Sequence, residues 1–399
     1  MSEWKTYKLG DFVEINPRVP LKQGDEYSFV EMKDLDATFK YVSPSIKKEL
    51  KGGAKFQNED TLFARITPCL ENGKICQVKN LENNVGFGST EFLVLRGKED
   101  VSNSDFVYYL SRSEFVKNNA IQMMTGTSGR QRVEKSALEE LEITVPDLAT
   151  QSQIAQIFTS LDDKIELNLQ MNQILEAMAQ ALFKEWFVNF NFPSFDGELE
   201  NGLPKGWRMG SVLEIATLLS GGTPKTDIQE YWNGSINWIS AKDITSSNNQ
   251  FIIETEKTIT ELGIKKSATK LLPRFTTIIS ARGTVGNYCI LSKEMAISQS
   301  NYGLKSNSDY NYFLFLMVEN MILMMKAFSY GTVFDTITTK TFQEMEVTIP
   351  DEKIIKDFEK IITPLYEKIL TNQSQIQTLT QTRDTLLPKL MSGKIEIKN

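Results

Sequence analysis

Residues 140–147 read Glu140-Leu-Glu-Ile-Thr-Val-Pro-Asp147, and at an offset of 204 the chain reads Glu344-Met-Glu-Val-Thr-Ile-Pro-Asp351. In both copies apolar and polar residues alternate as in a half-buried strand. Proline then stops the strand, and aspartate is a residue that starts helices. Immediately afterwards the period changes. Ile154, Phe158, Leu161, Ile165, Asn168, Asn172, Leu175, Ala179, Leu182 and Trp186 follow at alternating steps of four and three. After the second copy Phe358, Ile362, Leu365, Ile369, Asn372, Ile376, Leu379, Arg383, Leu386 and Leu390 do the same, in register at the same offset. A seam of this length predicts a long helix that needs a partner along its whole stripe.

Working outward, other pairs recur in the same order. Trp4 and Glu14-Ile15 return as Trp207 and Glu214-Ile215, Lys33-Asp34 as Lys242-Asp243, Ala64-Arg65 as Ala281-Arg282, and Gly126-Thr127 as Gly331-Thr332. The chain thus reads as two copies of one unit. Each copy opens with short runs rich in Val, Ile, Phe, Tyr and Thr broken by Gly, Asn and Pro, such as Thr61-Leu-Phe-Ala-Arg65 and Thr276-Thr-Ile-Ile-Ser280, with one helix expected near Ser104–Asn118 and another near Tyr310–Lys326.

The expected class is α+β: two similar mixed α/β domains separated by a long antiparallel two-helix coiled coil, as a pseudo-twofold repeat. The boundaries read as domain one over 1–150, spacer helix one over 151–188, a linker over 189–206, domain two over 207–350, spacer helix two over 351–393 and a tail over 394–399. Helix one carries the chain away from domain one, so domain two is expected at its far end, giving a dumbbell. The plainer reading packs each helix on its own domain. Asn168 and Asn372 fit a register-setting pair, whereas Pro364 is a flaw expected to bend helix two or to mark its start.

Composition excludes much. The 399 residues contain no histidine, which removes serine–histidine triads, cysteine–histidine dyads and histidine-based zinc sites. Cys69, Cys76 and Cys289 have no metal-ligand spacing and read as reduced thiols. The opening residues contain no apolar signal stretch, and Tyr312–Met325 is too short to span a membrane, so a cytoplasmic protein is expected. Neither a phosphate-binding Gly-x4-Gly-Lys-Ser/Thr loop nor the Asn/Asp-Pro-Pro-Tyr/Phe segment of amino-methyltransferases is present. No catalytic residue and no metal ligand is assigned. The net charge of −7 argues against a strongly basic surface, but the excess is concentrated at 151–200, with 2 basic against 8 acidic side chains.

Two related heads in pseudo-twofold relation suit a duplex with two half-sites, and a spacer would set their separation. Unlike heads imply unlike half-sites. Gly202-Leu-Pro-Lys-Gly-Trp207, Ser220-Gly-Gly-Thr-Pro-Lys225 and Tyr231-Trp-Asn-Gly-Ser-Ile-Asn-Trp-Ile-Ser-Ala-Lys-Asp-Ile244 resemble the opening of a type I target-recognition domain. Leu182-Phe-Lys-Glu-Trp-Phe-Val-Asn-Phe190 and Arg383-Asp-Thr-Leu-Leu-Pro-Lys-Leu-Met-Ser-Gly-Lys394 resemble the ends of that family's two conserved helices. The chain therefore resembles the specificity subunit of type I restriction–modification systems over essentially its whole length. The resemblance implies a non-catalytic subunit that binds double-stranded DNA and carries no cofactor itself. It also implies two methyltransferase subunits, which use S-adenosylmethionine to methylate adenine and dock on the spacer helices and adjoining faces. Two restriction/translocase subunits using ATP and Mg join in the restricting form of such complexes. The competing reading is a stand-alone scaffold, or a DNA-binding protein without such partners.

Base readout needs donors that reach base edges, arginine for guanine and asparagine or glutamine for adenine, while Lys, Arg, Ser, Thr and backbone amides serve phosphates. In domain one the loop Thr125-Gly-Thr-Ser-Gly-Arg-Gln-Arg132 offers Thr127, Ser128, Arg130, Gln131 and Arg132. The loop Arg65–Lys74 offers Arg65, Thr67, Asn72 and Lys74. Domain two offers Arg282, Thr284 and Asn287, with Thr332, Gln299, Asn301 and Lys225. Lys33 and Lys242 read as turn residues ahead of aspartate rather than as DNA contacts.

Overall fold

The computed structural model describes residues 4–127, 129–246, 250–328 and 336–397. The chain divides into two compact units, Met1–Leu167 with Ile376–Asn399, and Asn168–Gln375. Both divisions fall inside long helices, Leu148–Phe187 and Glu352–Leu390, so each unit holds a mixed α/β globule and a segment of each helix.

In the first unit a five-stranded sheet runs in the order Val13–Ile15, Phe92–Gly97, Thr61–Ala64, Ile75–Val78, Tyr41–Val42, and a four-stranded sheet in the order Ile46–Glu49, Glu26–Val30, Val85–Gly88, Ala54–Gln57. A ribbon pairs Lys5–Lys8 with Glu142–Val145. The second unit repeats this strand for strand. Its five-stranded sheet runs Ala216–Ser220, Asn301–Ser306, Thr277–Ser280, Tyr288–Leu291, Phe251–Ile252, and its four-stranded sheet Lys257–Ile259, Trp232–Ile239, Met295–Ile297, Leu271–Leu272. Its ribbon pairs Arg208–Ser211 with Glu346–Ile349. Even the parallel pairs recur at the same two places in each unit. The repeated Pro-Asp stretch supplies the last strand of each ribbon and the step into the long helix, where Asp147 Oδ1 accepts from the Thr150 amide at 2.9 Å.

The central strands are buried on both faces, and strand alternation divides their side chains between two cores. Phe63, Ile75 and Leu93 pack with Phe106 and Tyr109 of helix Ser104–Arg112, whereas Leu62, Cys76 and Val94 face the second sheet through Val30 and Phe56. In the second unit Ile279 and Ile290 join the helical core, and Ile278 and Cys289 face Ile239 and Ile297. The helix expected over 104–118 is two helices, because Ser113 leaves helical geometry and caps a new start at Glu114–Gln122. Its counterpart Asn311–Phe328 is continuous.

Within each unit the long helices pack on one another. In the second unit the Asn372 amide donates to Asn172 Oδ1 at 2.8 Å, the Asn168 amide to Gln375 Oε1 at 3.2 Å, and the Trp186 and Phe358 rings lie 5.4 Å apart. Numbers rise on one helix as they fall on the other, so these segments are antiparallel. The seam is buried: Ile154, Phe158, Ile165, Phe358, Ile362 and Ile369 fully, and Leu161, Leu175, Leu182, Leu365, Ile376, Leu379 and Leu386 in part. Two expectations need correcting. Asn168 and Asn372 do not pair with each other; each takes a partner one turn along. Helix two also runs unbroken through Pro364, which is exposed, so its ring faces solvent rather than the packed seam.

The repeat alignment also needs one correction here. Glu14 lies in a strand opposite Arg96, whereas Glu214 closes a capping box with Ser211. The shared Glu-Ile is a chance match. Lys33-Asp34 and Lys242-Asp243 are true equivalents: Asp34 Oδ2 accepts from the Glu31 amide at 2.7 Å and Asp243 Oδ2 from the Ser240 amide at 2.8 Å, each holding the turn after its strand.

Candidate nucleic-acid interface

In the first unit the two candidate loops form one surface. Thr125 and Arg132 exchange backbone hydrogen bonds of 2.9 Å and close a hairpin tip, with positive φ at Gly126 and Gly129. That hairpin is stitched to the other loop. The Thr67 amide donates to Gln131 O at 3.0 Å, the Gln131 amide to Thr67 Oγ1 at 3.1 Å, and the Val133 amide to Arg65 O at 2.9 Å.

Three arginines and two carboxylates crown this surface. Arg132 grips Glu91 side-on, Nε to Oε2 at 2.9 Å and Nη2 to Oε1 at 2.6 Å, with the two side chains 39% and 24% exposed. The guanidinium holds the Glu91 carboxyl below its usual range. Arg65 Nη2 donates to Glu134 Oε2 at 2.9 Å. Arg130 is exposed and makes no ion pair among the described residues. Thr127 and Asn72 are exposed, and Thr67 and Gln131 are half-buried. Lys74 is spent structurally, its ammonium donating to Met32 O at 2.9 Å. Ser128 lies outside the described residues.

In the second unit the turn between Thr277–Ser280 and Tyr288–Leu291 is held by Ser280, whose hydroxyl donates to Thr284 O at 2.5 Å and accepts from the Asn287 amide at 3.0 Å. Thr284 and Thr245 hydroxyls meet at 2.5 Å. Arg282, Thr284, Gln299 and Lys225 are exposed and Asn287 half-buried. Asn301 is only 1% exposed, and its amide donates to Ile239 O at 3.1 Å and Ser298 Oγ at 3.2 Å. It is a core tie between strands and does not reach a surface ligand as placed. Thr332 and its loop lie outside the described residues.

The strand ladders correct the pairing of Ala64-Arg65 with Ala281-Arg282. Thr61 faces Leu95 and Ala64 faces Phe92, while Thr277 faces Leu304 and Ser280 faces Asn301. Ala64 therefore matches Ser280, and Arg65 matches Ala281. The Arg65 amide bonds to Glu91 O and the Ala281 amide to Ser300 O, so Glu91 matches Ser300. A one-residue shift matters because it reverses the side chain's direction from the strand. Sequence reasoning missed Glu91 and Glu134. Glu91 sits 26 positions beyond Arg65 and is brought alongside only by the ladder, so nothing local announces it.

Among the described residues no group of three or more acids and thiols is placed to hold a metal, and no helix is long and apolar enough to cross a membrane. A family model for the type I restriction modification DNA specificity domain matches twice, over residues 1–177 and 204–381. The chain is 28% identical over 465 aligned residues to the type I restriction enzyme HindI specificity subunit of Haemophilus influenzae, covering 99% of this chain and all of that one. It is 27% identical to the MjaIX specificity subunit of Methanocaldococcus jannaschii, covering 99% and 94%. The crystal structure of a type I restriction–modification S subunit from M. genitalium superposes with a TM-score of 0.61 at 16% identity, covering 98% and 96%, a likeness of fold.

Proposed function

The chain belongs to the type I restriction modification DNA specificity family, as a recognition rather than a catalytic component, and from that premise we propose that it reads an asymmetric, bipartite DNA target. One half-site falls to the domain over 1–150 and the other to the domain over 207–350. The long helices over 151–188 and 351–393, with the linker 189–206, space the two domains and carry two adenine methyltransferase subunits. Those subunits bring S-adenosylmethionine, and two restriction/translocase subunits would bring ATP and Mg. The complex works in the cytoplasm, on double-stranded DNA.

The observation that carries this reading is the pairing of a strand-for-strand repeated fold with unlike chemistry at matched surface positions: Arg65 and Glu91 in one unit stand where Ala281 and Ser300 stand in the other. A shared scaffold with divergent contact groups is what two different half-sites require. Given the net charge of −7, tight binding is expected only in the assembled complex.

The test uses the full chain co-expressed with its methyltransferase partner. Methylation mapping should return a two-part target. Replacing Arg130 and Arg132 together by alanine should cost roughly tenfold or more on one half-site, by the ~1–3 kcal/mol of an arginine–base pair, and leave preference at the other half unchanged. An equal loss on all duplexes, random sequence included, would reduce these arginines to phosphate contacts and defeat their assignment as readers.

A further inference from the structure

Glu91 lies on no candidate loop, yet it holds the best-defined arginine of the surface. It precedes Phe92–Gly97, an interior strand of the five-stranded sheet, and its carbonyl accepts from the Arg65 amide at 3.0 Å. Its carboxylate takes Nε and one Nη2 hydrogen of Arg132. A guanidinium has five donors in a fixed plane. The pairing with Glu91 uses the side edge and leaves the end edge, one Nη1 and one Nη2 hydrogen side by side. Among the described residues Nη1 reaches only Arg130 O, at 3.5 Å, a weak contact. Two parallel donors on one edge match O6 and N7 of guanine.

We propose that Glu91 is a specificity-positioning residue: anchored on the sheet, it fixes the plane of Arg132 so that the guanidinium's free end edge reads a guanine in the half-site of the first unit. This rests on the reading of that surface as DNA-binding. A free arginine can rotate to any phosphate and loses side-chain entropy when it docks. One clamped to a carboxylate has its plane set before DNA arrives, which favours a planar, two-point partner over a phosphate. The carboxylate itself repels the DNA backbone, so the clamp weakens indiscriminate binding while it sharpens base choice. The second unit has Ser300 at the matching position and lacks this device there.

The experiment selects duplexes from a library randomised across the target, using the full chain in complex with its methyltransferase partner, for the unaltered protein and for Arg132→Ala, Glu91→Ala and Glu91→Gln. Circular dichroism melting confirms that each variant folds. The expected result is that Arg132→Ala erases a guanine preference at one position of one half-site. Glu91→Ala should lower the same preference from roughly 10–100-fold toward parity while total binding to random duplex holds or rises. Glu91→Gln, which keeps an acceptor for Arg132, should restore part of the preference. If Arg132→Ala changes selection while both Glu91 variants select like the unaltered protein, the positioning role is overturned and the DNA-reading surface stands. If Glu91→Ala raises binding to all duplexes with the guanine preference intact, Glu91 is only an electrostatic brake, and the inference fails. If Arg132→Ala alters nothing, the reading of the surface itself fails.

Discussion

The same two positions, a seam residue on one long helix and a seam-flanking residue on the other, are filled by opposite chemistries in the two units. In the first, Arg383 Nη1 donates to Asp162 Oδ1 at 2.7 Å, both side chains are at most 6% exposed, and Tyr109 donates to the other carboxylate oxygen at 2.6 Å. At the repeat offset of 204 these positions become Ala179 and Tyr366 in the second unit. Tyr366 is buried and stacks on Tyr312 with ring centres 4.6 Å apart. Both solutions fill the space between the long helices and the globule, one with a hydrogen-bonded ion pair and one with aromatic area. A repeat can thus keep its backbone while exchanging what holds it. The cost of an error differs, because a broken ion pair leaves a bare charge where a truncated aromatic leaves a void.

That contrast is tested most severely by Arg383→Ala. Asp162 would remain buried without its cation, at an expected cost of about 3–5 kcal/mol, read as a lower denaturant midpoint for unfolding. Adding Asp162→Tyr, which writes the second unit's pair into the first, should recover much of the loss. A double variant no more stable than the single would show that the two junctions are not interchangeable solutions. A smaller effect is expected at the polar layer of the second unit. Asn372→Leu removes the donor to Asn172 and should cost about 1–3 kcal/mol. Leucine at both Asn172 and Asn372 should be neutral or stabilising, since it removes the Asn172 oxygen that the single variant strands together with Asn372 Oδ1, which is already buried without a partner among the described residues. A double variant as unstable as the single would break the view that this layer costs stability in return for fixing one alignment.

How much of this could be read beforehand depended on the range of the interaction. The heptad seam, the Pro-Asp steps and the turn aspartates Asp34 and Asp243 were legible, because each is a local pattern with a local physical cause. The register of Arg65 was not. A Gly/Ser-rich loop and a preceding strand give no mark of which residue faces which, and only the ladder placing Ala64 opposite Phe92 showed that Ala281, not Arg282, is its equivalent. Asn301 looked like a reader because asparagine suits adenine, but its burial follows from its place on a central strand of the five-stranded sheet. Glu91 was invisible for the reason that Asp162 was: its partner lies far away in the chain, at Arg132 as Asp162's lies at Arg383. In both cases the charge pattern reads as solvated until the fold closes.

The smallest expected effect concerns acid in the second unit. Glu319 is buried and accepts from Tyr288 Oη at 2.7 Å and from the Gln180 amide at 2.9 Å, with no cation paired to it among the described residues. Burial outweighs these two hydrogen bonds and pushes its carboxyl above the ordinary range. Glu176, on the same face of the long helix as Gln180, is raised by burial as well, and Glu319 adds to it. A folded-state pKa above the unfolded one means that the folded state binds the proton more tightly. The contribution is therefore fully present below the unfolded pKa and is lost as pH rises through the folded value. Glu319→Gln keeps an acceptor for Tyr288 and removes the charge. It should stabilise the protein at pH 8 and matter little at pH 4, so the two melting curves converge on acidification. The first unit's Glu91, held low by Arg132, has the opposite sign: its contribution is present at neutral pH and lost as pH falls through its depressed folded value. Glu319→Gln curves that stay parallel from pH 4 to pH 8 would mean that the buried carboxyl does not titrate in this range, and the contrast in pH response between the units would lose its basis.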